Sequence, residues 1–268
     1  IMELLVDGHN VFVATGGKEF DANKPTLIML HGAGMDHTVW SMQARFFAHH
    51  GYSVLNPDLP GHGRSQGTSP VSIPEYTQWV SKLINTLDAG NIHVIGHSMG
   101  SLIALDCAAK LQKQISKLAL LGTLPHLQVH PSLLEAAQKN EHSAYETIVG
   151  WGVGSKAQIG GNRSPGSWIT GASMRLLEAS GPGVLGNDLN ACNSWENGLE
   201  ACAEVLCPTL LLIGANDKMA PPRGTKKMSE SLQISTTVIL NDAGHMMMVE
   251  QPEQTLDALI KFFAGSIT

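Results

Sequence analysis

Short runs of almost entirely apolar residues recur along the chain, and a segment of helical periodicity separates most of them. The runs lie at residues 26–30, 52–58, 91–96, 115–123, 207–217 and 235–242. Parallel strands that are covered on both faces have this composition, and connections of ten or more helical residues place helices against the sheet. The pattern therefore predicts an α/β fold with a mostly parallel sheet and helices on both of its faces.

Turn-forming residues mark several element boundaries. The segments ELLVDG and VFVATGG predict an opening β-hairpin before the first run. One helix is predicted to end at Gly51, and another to begin at Pro74 and end at Gly90.

The alternation stops at about Pro125 and resumes at residue 207. The intervening segment is rich in glycine between residues 150 and 186, and it carries Trp151, Trp168 and Trp195. We interpret residues 125–205 as a largely helical cap inserted after the sixth strand, with residues 1–124 and 206–268 forming the core. The alternative is a loosely packed surface excursion, and the large area of three tryptophans favours burial instead.

Composition excludes several classes of function. Charged residues make up 15% of the 268 residues and the net charge is -6, which argues against disorder and against nucleic-acid binding. No apolar stretch reaches the ~18 residues of a membrane-spanning helix. The four cysteines form no C-x-x-C pair, and no metal or cofactor motif is found, so reduced thiols in a cytoplasmic protein are expected. A signal peptide removed before Ile1 is left open.

The pentapeptide GHSMG, residues 96–100, places Ser98 between two glycines where a predicted strand meets a predicted helix. A sharp strand-to-helix turn forces its corner residue into a strained conformation and exposes that side chain. Gly96 and Gly100 fit because side chains there would collide with neighbouring backbone. Ser98 is therefore the candidate nucleophile, although the pentapeptide alone also arises by chance in chains this rich in glycine.

A serine needs a base, and His245 follows the last predicted strand. Asp217 ends the preceding apolar run and is the candidate acid that orients the histidine. Asp242 is a rival, but it lies only three residues before His245 and is better explained by the turn. We expect these side chains to meet because the carboxyl ends of parallel strands share one edge of the sheet.

Five segments in this order resemble the α/β-hydrolase superfamily of serine hydrolases: HGAG, DLPGHGRS, GHSMG, GANDKMAPP and GHMMMVEQPE. The resemblance covers the core, about two thirds of the chain. It implies a catalytic triad of Ser98, Asp217 and His245, and an oxyanion hole formed by the backbone N–H groups of Ala33 and Met99. It also implies supporting positions for other polar residues of these segments: His31, His62, Arg64 and His97.

The resemblance implies a serine esterase that cleaves a small to medium carboxylic ester through an acyl-enzyme. Serine at position 98 disfavours the dehalogenase and epoxide-hydrolase branches, which use aspartate there. The expected partner is a small-molecule ester, with no nucleic acid and no membrane, and the protein is expected to be a monomer or a homodimer. The candidate substrate-binding residues are Gly32, Trp151, Trp168 and Met246.

Three alternatives remain open at this point. One is hydrolysis of a carbon–carbon bond in ring-cleavage products, with Arg163 holding a substrate carboxylate. The second is lactonase or thioesterase activity, which uses the same acyl-transfer chemistry. The third is a ligand-binding protein that keeps the fold without turnover.

Overall fold

The computed structural model describes residues 1–162 and 166–264. Its eight strands form one sheet in the order β1-β2-β4-β3-β5-β6-β7-β8, in which β2 pairs antiparallel with β1 and β4 and the other five pairs are parallel. The strands are β1 (Met2–Val6), β2 (His9–Ala14), β3 (Thr26–Leu30), β4 (Ser53–Pro57), β5 (Ile92–His97), β6 (Ile115–Leu121), β7 (Thr209–Gly214) and β8 (Ser235–Leu240). The predicted α/β class and mostly parallel sheet are confirmed.

Within the described residues, twelve α-helices accompany the sheet. They are α1 (Ser41–His49), α2 (Ile73–Asn85), α3 (Met99–Leu111), α4 (Pro131–Gln138), α5 (His142–Gly152), α6 (Ser155–Gln158), α7 (Ile169–Glu178), α8 (Val184–Ser194), α9 (Gly198–Glu204), α10 (Lys226–Ser231), α11 (Met247–Glu250) and α12 (Pro252–Phe263). None of the helices in this part of the chain has the length and apolarity needed to cross a bilayer.

The central strands are covered on both faces. Every residue of β3, β4, β5 and β7 is buried, so side chains on both sides of the sheet are shielded from water. The helices α1 and α12 contact each other, and α2, α3, α9 and α10 form a second continuous row. The edge strand β8 is covered less: Thr236, Thr237 and Ile239 are exposed, and Leu240 is its one buried residue.

The predicted hairpin is present. Strands β1 and β2 pair antiparallel with Val6 opposite His9, so Asp7 and Gly8 alone make the turn. Their φ angles are 50° and 77°, and a two-residue turn with both angles positive matches the right-handed twist of the strands.

Two predicted helix boundaries are confirmed and one is wrong. Helix α2 begins at Ile73 with Pro74 as its second residue, as predicted. Gly51, two residues beyond α1, has a φ angle of +92°, which favours glycine after a helix end. Helix α2 ends at Asn85 rather than at Gly90. The backbone N–H of Thr86 donates to both Lys82 O and Leu83 O, and its hydroxyl donates to Leu83 O, so the helix tightens and ends here, before the glycine is reached.

The insert between β6 and β7 is largely helical, as expected. Helices α4, α5, α7 and α8 pack against one another, whereas α9 packs on α3 and α10 of the sheet-covering row. The division of the chain at residues 124 and 206 remains a prediction.

Burial was predicted for three tryptophans of the insert because of their large area, and one of the three is buried. Trp195 is buried, but Trp151 is 40% exposed and Trp168 is 75% exposed. The ring of Trp168 folds back over Gly171 of its own helix, where the absence of a Cβ leaves space, so it contributes little to the packing of the insert.

Candidate active site

Ser98 stands at the corner between β5 and α3. Its backbone is strained, with a φ angle of 53° and a ψ angle of -120°. A Cβ at Gly96 would lie 2.0 Å from Gly100 O, and a Cβ at Gly100 would lie 2.4 Å from Leu30 O. The two glycines are thus required by close backbone contacts, and the corner presents the Ser98 side chain above the carboxyl end of the sheet.

His245 and Asp217 form a buried pair above the neighbouring strand ends. The Nδ1 atom of His245 lies 2.8 Å from Oδ2 of Asp217. The other carboxylate oxygen of Asp217 accepts hydrogen bonds from the backbone N–H groups of Met219 and Ala220, both at 2.8 Å. Since a carboxylate only accepts, Nδ1 carries the proton and Nε2 is the basic nitrogen.

Burial and charge act in opposite directions on this pair. Burial alone would lower the pKa of His245, but the charge and hydrogen bond of Asp217 outweigh burial and raise it above the ordinary value. Burial would raise the pKa of Asp217, but the charge and hydrogen bond of His245, with the two backbone amides, hold it below the ordinary value.

Ser98 and His245 line the same two cavities. The Nε2 atom of His245 is buried and has no hydrogen-bond partner among the described residues. No hydrogen bond joins it to the Ser98 hydroxyl in this arrangement, and such bonds are often long before a substrate is bound. The structure brings together the three residues predicted from the sequence, with a free basic nitrogen beside a serine.

The neighbour of the serine, His97, supports the histidine loop from below. Its Nε2 atom donates to the carbonyl oxygen of His245 at 2.9 Å. Burial, reinforced by the nearby charge of His245, lowers the pKa of His97 to about 3, so the ring is neutral. His97 therefore holds the loop of the candidate base and stays away from the cavity, as expected.

Hydrogen bonds fix the orientation of the HGAG loop after β3. Leu59 N–H donates to Nε2 of His31, so Nδ1 carries the proton and donates to Gly32 O at 2.9 Å. Met35 N–H donates to the same Gly32 oxygen at 3.2 Å. Because a trans peptide is planar, holding this carbonyl in one direction points the Ala33 N–H in the opposite direction.

Two cavities meet at a shared set of residues: Ala33, Ser98, Leu189, Met219 and His245. The first is narrow: the centres of water-sized molecules can occupy about 30 Å³ of it. Apart from Ser98, Ser173 and His245 its lining is apolar and includes Met246. The second is more polar, with Trp151, His130 and Lys218 in its wall.

The predicted substrate-binding residues occupy different places. Met246 lines the first cavity and Trp151 the second. Gly32 lies beneath the site, where a Cβ would stand 3.2 Å from the Cβ of Ser98. Trp168 lines a third groove, which shares Ser173, Leu176 and Met246 with the first cavity but contains neither Ser98 nor His245. Arg163, the candidate for binding a substrate carboxylate, lies outside the described residues.

The polar residues of the DLPGHGRS loop tie it to its surroundings. Asp58 accepts hydrogen bonds from the backbone N–H groups of His37 and Arg64, and it pairs with the His37 ring at 2.7 Å. The guanidinium of Arg64 lies over the ring of Phe12, 4.0 Å from its centroid. The loop-supporting role expected for Arg64 fits this contact, and Asp58 was not predicted to have such a role.

The sequence did not predict Asp188, whose carboxylate contacts the HGAG loop and His62. An isolated aspartate in a helical segment of the insert gives no signal of this role. Its partner Gly34 lies 154 residues earlier in the chain.

Comparisons with known proteins show the family of the chain. The profile described as "Alpha/beta hydrolase family" matches residues 27–258. The chain is 25% identical over 240 residues to the (E)-2-((N-methylformamido)methylene)succinate hydrolase of Acinetobacter baylyi, covering 87% of this chain and 88% of that protein. It is 29% identical over 247 residues to the pimeloyl-[acyl-carrier protein] methyl ester esterase of Aromatoleum aromaticum, covering 86% and 95%.

A solved structure shares the fold. The enol-lactonase from Burkholderia xenovorans superposes with a TM-score of 0.88 at 19% identity. The match covers 98% of this chain and 100% of the enol-lactonase chain. At this identity the similarity shows the architecture alone.

Proposed function

Because the chain belongs to the alpha/beta hydrolase family, we propose that it is a serine hydrolase that cleaves a small to medium carboxylic ester through an acyl-enzyme. The observation that carries the proposal is the buried Asp217–His245 pair, whose unbonded Nε2 borders the cavity that Ser98 also lines. The similarity to a methyl ester esterase supports an ester as the substrate.

In the proposed mechanism, His245 Nε2 accepts the Ser98 proton as the hydroxyl oxygen attacks the ester carbonyl carbon. The imidazolium that forms is stabilised by Asp217 and then protonates the departing alcohol. Water, deprotonated by the same nitrogen, attacks the acyl-enzyme and releases the acid and the free serine.

The proposed oxyanion hole consists of the N–H groups of Ala33 and Met99. Met99 is the first residue of α3, so its N–H has no acceptor within the helix and lies at the positive end of the helix dipole. The hydrogen bonds at Gly32 orient the Ala33 N–H before any substrate arrives. Donors that are oriented in advance stabilise a developing oxyanion without reorganisation during the reaction.

We propose that residues 125–205 act as a cap that shapes the substrate pocket. Ile148, Val149, Leu176, Leu177 and Leu189, all from the insert, line the first cavity. An apolar wall of this kind favours an aliphatic acyl chain. A cytoplasmic location remains a prediction; the four cysteines, all buried and free, support a reducing compartment.

The test is the variant Ser98→Ala, with Ser173→Ala as a matched control because Ser173 is a second serine in the same cavity. We expect Ser98→Ala to lower turnover of p-nitrophenyl butyrate by about 10⁴-fold or more and to abolish labelling by a fluorophosphonate. Ser173→Ala should keep the label and most of the turnover.

A Ser98→Ala enzyme that hydrolyses the ester normally would refute the proposal. A wild-type protein that is neither labelled nor active would instead support the ligand-binding alternative. Lactonase and thioesterase activities would share the mechanism and are separated by the substrate. Cleavage of a carbon–carbon bond remains a prediction from the sequence alone.

A further inference from the structure

Asp188 is a carboxylate at the centre of four segments of the protein. It lies on α8 of the insert and is fully buried. Its Oδ2 atom accepts a hydrogen bond from the Gly34 N–H at 2.9 Å and from Nε2 of His62 at 2.7 Å. Its Oδ1 atom accepts from the Tyr76 hydroxyl of α2 at 2.7 Å. One side chain of the insert thus holds the HGAG loop, the DLPGHGRS loop and a core helix.

The histidine in this cluster is charged. Nδ1 of His62 lies 3.0 Å from Pro60 O, and Nε2 lies 2.7 Å from the carboxylate of Asp188. Both partners only accept hydrogen bonds, so both ring nitrogens carry protons. Burial alone would lower the pKa of His62, but the charge and hydrogen bonds of its partners raise it above the ordinary value. The carboxylate is therefore paired with an imidazolium and remains a strong acceptor for the Gly34 N–H.

The bond to Gly34 completes the constraint on Ala33. The peptide before Ala33 is held through Gly32 O, as described above, and the peptide after it is held through the Gly34 N–H. Gly34 has a φ angle of +65° and occupies the third position of the turn that Met35 N–H closes onto Gly32 O. With both flanking peptide planes fixed, the direction of the Ala33 N–H is set by two separate anchors, and the second belongs to the insert.

We propose that Asp188 is a positioning residue that holds the HGAG loop so that the Ala33 N–H stabilises the tetrahedral oxyanion. The inference rests on the proposed function and assigns the insert a part in the chemistry beyond covering the pocket. Asp188 acts through Gly34 and does not touch the substrate: it lines neither of the two cavities at Ser98.

Three variants separate positioning from simple packing. Asp188→Ala removes the acceptor, and Asp188→Asn keeps the shape but loses the charge that strengthens the bond to Gly34. Tyr76→Phe is the matched control, because it deletes one hydrogen bond to the same carboxylate and leaves the Gly34 bond in place. Each variant is assayed with p-nitrophenyl butyrate and with a trifluoromethyl ketone, which forms a tetrahedral oxyanion on the serine.

We expect kcat to fall about tenfold to a hundredfold in Asp188→Ala and about threefold to tenfold in Asp188→Asn, with KM changed less than about threefold. The inhibition constant of the ketone should rise by the same factor as kcat/KM falls, because both depend on the oxyanion. Tyr76→Phe should stay within about twofold of the wild type in both measurements, even if its melting temperature is lower.

The inference is overturned if Asp188→Asn keeps wild-type kcat and ketone affinity, a result that decides the matter even when Asp188→Ala does not fold. It is also overturned if Tyr76→Phe lowers kcat and ketone affinity as much as Asp188→Asn does. Looser packing around the carboxylate would then be enough to explain the loss of activity. An active wild type with unaffected variants refutes this inference alone. A wild type without turnover or fluorophosphonate label refutes the proposed function and the inference with it.

Discussion

The imidazole of His245 determines the expected pH dependence of activity. A general base must be unprotonated, so turnover should rise with pH as His245 loses its proton. Asp217 raises the pKa of His245, and the acid limb of the profile should therefore lie above the ordinary value of 6.5. In Asp217→Asn that charge is absent, so the acid limb should move to lower pH while kcat falls by about 10³- to 10⁴-fold.

The measurement is the pH profile of kcat/KM for p-nitrophenyl butyrate, and Asp242→Asn is the control. Asp242 is the rival acid from the sequence, but its carboxylate pairs with Lys156 at the surface. Its removal should leave the acid limb unchanged. An acid limb that moves in Asp242→Asn and stays in Asp217→Asn would reverse the assignment of the orienting acid.

The three candidate catalytic residues could be predicted from the sequence for a physical reason, and the same reason limits what else could be predicted. Parallel strands bring their carboxyl ends to one edge, so Ser98, Asp217 and His245 could be placed together without coordinates. The contact between Asp188 and Gly34 depends on how the insert lies on the core, and no local pattern encodes that. Trp168 shows the same limit, because area alone predicted burial but not which side chains the insert encloses.

The junction of β5 and α3 depends on the absence of a side chain at Gly100. A Cβ there would stand 2.4 Å from Leu30 O and 2.5 Å from His31 O, and backbone atoms of a central strand cannot move aside. We expect Gly100→Ala to lower the free energy of unfolding by about 3 kcal/mol or more.

Gly90→Ala provides the comparison, since a Cβ at Gly90 meets no atom within 4 Å. Its free energy of unfolding should stay within about 0.5 kcal/mol of the wild type. Urea unfolding followed by circular dichroism measures both variants. If the two variants had equal urea midpoints, the space at Gly100 would have to be wide enough for a methyl group, and β3 and α3 would lie further apart than in the structure.

Strands and helices were predictable to the extent that local chemistry defines them. The apolar runs predicted the buried strands, and the turn at Asp7 and Gly8 predicted the hairpin. The end of α2 was missed because Thr86 bonds to Leu83 O, and this side-chain interaction competes with a glycine four residues later. The packing of α9 on α3 was equally hidden, because an amphipathic helix does not specify its partner.

The insert and the core are joined at both sides of the candidate site. Gly152 O accepts a hydrogen bond from His245 N–H at 2.7 Å, and Gly154 N–H donates to the buried Glu250 at 2.9 Å. On the other side Asp188 binds Gly34. Separate opening of the insert would exchange each of these buried bonds for bonds to water, at a cost of about 1 kcal/mol for each bond.

We therefore expect the insert to unfold together with the core, rather than to open first as a covering element often does. In native-state hydrogen exchange, buried amides of α8 and of β5 should open with free energies equal within about 1 kcal/mol. Lys156→Ala removes only the exposed pair with Asp242 and should leave this equality intact, because surface ion pairs contribute little. If amides of α8 in the wild type opened at a free energy several kcal/mol below that of β5, the insert would open independently. The hydrogen bonds at Gly152, Gly154 and Gly34 would then contribute far less to stability than their burial indicates.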